Sequence, residues 1–236
     1  MQLVRLSTTL HKWIGLVIGI QVVLWIVGGV VMTWFDLVEV RGEHNIAVQP
    51  QITLQPGSAS SLNIVLGSRD DIKSVRMKGL LGITYYEAIT LADERLLFDS
   101  ASGGQISPIS AEFAARLAFA DFSGISTPSD PVWIEEHNLE YRGSLPVWQI
   151  ILNDEEGTHL YVSPATGEIV ARRNSVWRIF DFFWMLHIMD YENRTDFNHP
   201  LVVWTSIFAA VLSFTGIILL FYRFTKRDFR FLQRKK

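Results

Sequence analysis

Two long stretches of the chain, 13–35 and 201–222, contain no ionisable residue. As helix, each would span roughly 30–35 Å, enough to cross a hydrocarbon core of roughly 30 Å. A soluble helix of that length carries a polar stripe beside its apolar one, and neither stretch has one. Trp13, Trp34 and Trp204 stand near the ends of the runs, where amphipathic rings favour the headgroup zone. The pattern predicts transmembrane helices at 13–35 and 200–222.

Between these helices the hydrophobic period shortens to two. Residues 84–106 and 146–170 read as two copies of one hairpin, rich in β-branched and aromatic residues. Asp99-Ser-Ala-Ser-Gly103 and Ser163-Pro-Ala-Thr-Gly167 are matching turns that close on glycine. Trp148 and Tyr161 should point into a core. Ser110 is placed to cap a helix running to about residue 122, with Phe113, Leu117 and Ala120 on one face. Residues 175–191 carry Trp177, Phe180 and Trp184 on one face, the pattern of an amphipathic helix lying on the outer membrane surface. The expected fold class is an α+β membrane protein. Its two transmembrane helices flank an extracytoplasmic domain, residues 36–174, built of a helix on antiparallel strands, followed by an interfacial helix and loop, 175–199.

Charge sets the expected orientation. Seven Lys and Arg follow Tyr222, and Arg5 and Lys12 precede the first run. The positive-inside bias therefore places residues 1–12 and 223–236 in the cytoplasm and the central domain outside. The first run is too long for a signal-peptide core and no small-x-small site follows it, so it reads as an uncleaved anchor. Residues 37–199 hold 22 acidic and 12 basic side chains, which argues against a nucleic-acid partner. The basic tail suits anionic lipid headgroups. With no cysteine, disulfides, iron–sulfur ligation, thiol nucleophiles and covalent c-type haem attachment are excluded.

Several short motifs resemble a known family. The stretch 110–171, ending in Tyr161-Val-Ser-Pro-Ala-Thr-Gly-Glu-Ile-Val170, resembles a PepSY domain, with Ser163 where an aspartate is usual. Leu10-His-Lys-Trp-Ile-Gly-Leu16 is similar to the opening signature of the PepSY-associated transmembrane family. Leu186-His187 and Thr215-Gly-Ile-Ile-Leu-Leu219, leading to Arg223, are similar to its closing signature. The resemblance implies a bacterial inner-membrane protein related to ferric or siderophore-iron reductases. Those carry about four spans, and this chain has two.

The histidines are the candidate chemistry. His11 precedes the first run, with Gly15 and Gly19 on the same helix face. That track would leave a flat groove where a porphyrin edge could lie, with His11 as a ligand of haem b iron. The same Gly-xxx-Gly spacing also serves close helix packing, and a histidine at a span edge can be merely solvated. His187 on the amphipathic helix is either a haem ligand or a satisfied interfacial histidine. His199, before Pro200, is either a ligand or part of a helix cap. His44, His137 and His159 read as surface residues. His11 lies at the inner face and His187 and His199 at the outer, so one haem cannot bridge them. Bis-histidine ligation at His11 then calls for a homodimer or a partner membrane subunit. Glu135-Glu136 and Asp154-Glu155-Glu156 read as solvated turns rather than acid–base pairs.

Two functions are expected on these grounds. One is electron transfer across the membrane through b-type haem, to ferric or siderophore iron or to a periplasmic redox protein. The alternative is a non-catalytic accessory subunit whose PepSY domain binds or restrains a partner. Either way, protease added to spheroplasts should digest the central domain and spare the basic tail; cleavage of the tail in intact spheroplasts would refute the orientation.

Overall fold

The computed structural model describes residues 2–48 and 62–223, so most of the basic tail lies outside the described residues. Helix α1 (Gln2–Trp34) opens the chain. Two short helices follow, α2 (Leu37–Val40) and α3 (Leu62–Ser68), then strands β1 (Ile72–Leu80), β2 (Ile83–Thr90) and β3 (Arg95–Asp99). Helix α4 (Ala111–Asp121) leads into β4 (Val132–Ile134), β5 (Val147–Ile151), β6 (His159–Val162) and β7 (Ile169–Arg173). Helices α5 (Ser175–Ile188) and α6 (Pro200–Arg223) complete it. The chain divides into two compact units. One comprises residues 1–35 and 179–236, the other residues 36–178.

In the first unit, α1 and α6 pack antiparallel. Helix α1 starts well before its charge-free run, at Gln2. The run marks what hydrocarbon tolerates; the helix itself extends as far as backbone hydrogen bonding allows. Only 11% of the apolar stretch of each helix is buried within the protein. Helices this long that turn so much apolar surface outward require a lipid environment. Helix α5 runs antiparallel to α1. Gln21 Nε2 donates to the Leu186 carbonyl at 2.9 Å, and Trp25 Nε1 donates to the His187 carbonyl at 2.9 Å. Both carbonyls belong to the last turn of α5, which has no intrahelical donors left for them. The only amide side chain of the first run thus closes the end of a neighbouring helix. Further along, Phe183 lies against Gly28, where an added Cβ would sit 3.8 Å from its ring.

The connection from α5 to α6 is braced by charge. Buried Asp181 pairs with Arg194. Asp190 accepts hydrogen bonds from the backbone N–H groups of Asn193, Thr195 and Asp196, each at 3.0 Å. These amides, Asp196 foremost, hold its carboxyl well below the usual range. Trp184 stacks edge-on against Phe197 at 5.1 Å.

The second unit holds two antiparallel sheets, β1-β2-β3 and β4-β5-β6-β7. Its main core joins Tyr85 and Leu97 of the first sheet, Ala114, Leu117 and Ala118 of α4, and Ile150, Leu160 and Val162 of the second sheet. Ser110 caps α4 by accepting from Phe113 N at 3.2 Å. The repeat expected from sequence is present: β2–β3 and β5–β6 are both hairpins, with α4 between them in the chain. Their exits match as well. Gly103 N–H donates to Asp99 O, and Gly167 N–H to Ser163 O, both at 2.8 Å, with left-handed φ of +72° and +68°. The copies then diverge. The second continues into β7, whereas the first keeps one bridge between Phe98 and Gln105. Trp148 and Tyr161 both turn inward but occupy different cores. Trp148 pairs with Val162 and Gln149 with Tyr161, so the two aromatics face opposite sides of the sheet. Trp148 packs on the main core, while fully buried Tyr161 stacks on Tyr141 at 4.8 Å.

Glu87 and Glu140 each anchor an ion network. Glu87, 0% exposed, is held by Arg76 and Lys78 at 3.0 and 3.2 Å, with Arg95 at 3.6 Å. Three cations replace the water that this carboxylate gives up. Glu140 contacts His159 Nδ1 at 2.6 Å, accepts from Arg178 Nε at 2.7 Å, and accepts from the Tyr161 hydroxyl at 3.1 Å. His159 is therefore a half-buried partner in a network, not the free surface residue expected. Burial alone would raise the Glu140 carboxyl, but the hydrogen bonds from His159 and Arg178 outweigh it and hold the pKa at about 2.

A depressed folded-state pKa contributes stability above the unfolded value near 4.5, and that stability is lost as pH falls toward about 2. Glu140→Gln should therefore cost on the order of 2 kcal/mol at neutral pH, allowing for partial exposure. The deficit relative to wild type should shrink below about pH 4.5. Thermal midpoints across pH check this; a deficit constant to pH 3 would contradict it.

Candidate functional site

His11 lies four residues before Gly15 on α1 and turns toward α6. Its Nδ1 is 3.1 Å from the Leu212 carbonyl oxygen and 3.2 Å from the Thr215 hydroxyl. A carbonyl can only accept, so Nδ1 carries the proton and donates. The Thr215 hydroxyl itself donates to the Val211 carbonyl at 2.9 Å. In the neutral ring, Nε2 then keeps its lone pair, which is the arrangement of a histidine ligand oriented through its other nitrogen. Space for the ring comes from Gly216, where a Cβ would stand 3.1 Å from His11 Cε1.

Beside His11, a groove of about 710 Å³ opens between Val4 and Thr8 of α1 and Gly216, Leu219 and Leu220 of α6. That size suits an organic cofactor. Leu212 and Thr215 belong to the charge-free run of α6, so His11 is level with apolar helix rather than with its charged end. Thr215 lies about 12 Å from the Arg223 end of α6 at the helical rise.

The other predicted residues are placed as follows. Gly15 faces α6, with its absent Cβ 3.5 Å from Leu212 Cδ1. Gly19 faces open space, with nothing within 4 Å of a Cβ. His187 sits at the end of α5 with its ring 5.9 Å from that of Trp25. His199 precedes the first residue of α6, and its carbonyl accepts from Val202 N at 3.0 Å. In both His187 and His199, Nδ1 is buried without a hydrogen-bond partner. From His11 to Trp25 is roughly 21 Å along α1, so His11 and His187 form no common site. Among the described residues, no group of three or more His, Cys, Asp or Glu is arranged to hold a metal ion.

Thr215 and Gly216, read from sequence only as part of a closing signature, are the residues of α6 that contact the His11 ring. Their signal was legible only in part. A glycine among bulky apolar residues announces a close approach, but nothing in sequence says that an imidazole fills it.

Two long lipid-facing helices carrying an α+β unit define a membrane protein with a histidine-bearing helix pair. A family model described as PepSY-associated TM region matches residues 8–236, and the chain belongs to that family. No curated protein and no solved structure matches it.

A side chain at 216 should collide with the His11 ring. Gly216→Val is expected to destabilise the protein by about 1–3 kcal/mol, and by clearly less in a His11→Ala background, because the two positions touch. A double-mutant cycle on thermal unfolding in detergent reads this; additive effects would place His11 elsewhere.

Proposed function

We propose that this protein carries electrons across a bacterial inner membrane through haem b held by His11. The observation that carries the reading is the His11 geometry: its Nδ1 is held on α6, and the residue lines a largely apolar groove. These features fit a b-type haem, which when bound supplies a one-electron couple tuned by its axial ligands and surroundings. His11 orients its own ring through Leu212 O, Gly216 leaves the ring room, and the leucines of α6 exclude water. One chain offers one histidine at that depth among the described residues. The second axial ligand would come from a second copy, in a homodimer, or from a partner membrane subunit. The unpartnered nitrogens of His187 and His199 support a second ligand set at the opposite end of the helices. In this reading both termini are cytoplasmic. The α+β unit lies outside, where it meets the acceptor, ferric or siderophore iron or a periplasmic redox protein.

Wild-type protein expressed with a haem supply should show Soret and α bands of low-spin haem. His11→Ala should remove the component bound there, while His187→Ala and His199→Ala leave it. A folded wild-type preparation that stays colourless would end the electron-transfer reading and leave a partner-binding role.

A further inference from the structure

The groove beside His11 has an asymmetric lining. Val4, Thr8 and His11 share one face of α1, and Gly216, Leu219, Leu220 and Arg223 share one face of α6. Between His11 and the end of α6 the walls are mainly apolar, with Thr8 and Tyr222 as polar members, and Arg223 is the one cationic side chain among the lining residues. That residue lies two turns, about 10 Å, beyond Gly216. No described residue pairs with Arg223, although it lines the groove. An imidazole at one end, leucines between and a guanidinium with no partner among the described residues at the other end match an amphiphilic planar ligand. Such a ligand would have a metal centre, an apolar ring and an acidic edge.

We propose that Arg223 binds the carboxylates of the group His11 ligates, so that the haem lies with its propionates toward the Arg223 end of α6. This rests on the reading of His11 as a haem ligand and adds the orientation of the bound group. Arg223 presents a fork of donors that matches a carboxylate, and at the membrane edge its long stem reaches while its head stays hydrated. It is a positioning residue: it does not touch the metal, and the ligation spectrum should not depend on it.

The test is a titration of haem-free, full-length protein in nanodiscs. Haem and haem dimethyl ester, which lacks free carboxylates, are added in turn, and binding is followed by the Soret change on histidine ligation. Wild type should bind haem about tenfold or more tighter than the ester, as one partly exposed charge-assisted pair provides. Arg223→Gln should lose most of that preference while keeping the same ligated spectrum and thermal midpoint, and Arg223→Lys should keep part of it. Equal binding of haem and ester by wild type, or an undiminished preference in Arg223→Gln, would overturn the assignment while leaving His11 ligation intact. Failure of wild type to bind either compound would remove the His11 reading and this one together. Nanodiscs with and without anionic lipid separate the remaining source of negative charge. If Arg223→Gln changes binding only when anionic lipid is present, Arg223 reads a lipid phosphate and the proposal fails.

Discussion

In hydrocarbon, a polar group must find its partner inside the protein, since water is not there to supply one. The membrane unit is organised by that requirement. Gln21 and Trp25 donate to two of the carbonyls in the last turn of α5. His11 donates to the Leu212 carbonyl, and Thr215 satisfies itself on the preceding turn. Each bond is local, but together they fix the register of α1 against α6 and of α1 against α5. A slip by one residue would strand several of these groups at once.

The same logic explains the connection between α5 and α6. Asp181 and Arg194 neutralise each other, and Asp190 collects three backbone amides that would otherwise be unpaired in a tight loop. His187 and His199 stand out against this background, because each keeps a buried ring nitrogen with no partner. Arg194 Nε, in the same connection, is likewise buried without a partner among the described residues. His11 differs in having its Nδ1 committed to the Leu212 carbonyl.

The α+β unit meets the burial problem with ion clusters and a duplicated hairpin. Glu87 is enclosed by cations from neighbouring strands, and Glu140 ties β6 to Arg178. The Glu87 cluster links neighbouring strands, while the Glu140 cluster joins residues 19 and 38 positions away, so both contribute to specifying the pairing as well as to stability. The duplicated hairpin supplies two sheets whose inner faces share one core with α4.

Much of this was legible in the chain itself. Charge-free runs of spanning length, strict alternation in two segments and glycine-closed turns depend on local chemistry, and they defined both long helices, the two hairpins and α4. The resemblance to the PepSY-associated transmembrane family likewise rested on short contiguous motifs such as Leu10-His-Lys-Trp. Tertiary structure alone decided what those elements meet. Nothing near His11 in sequence indicates Leu212 or Gly216, which lie about two hundred residues away. The pairing follows from antiparallel packing, whose register is a property of two surfaces rather than of either sequence. For the same reason Gly15 and Gly19, equivalent as a spaced pair, part company: one abuts Leu212 and the other faces open space. His159 looked like a surface residue because strand alternation shows which face a side chain takes, not whether a carboxylate waits there.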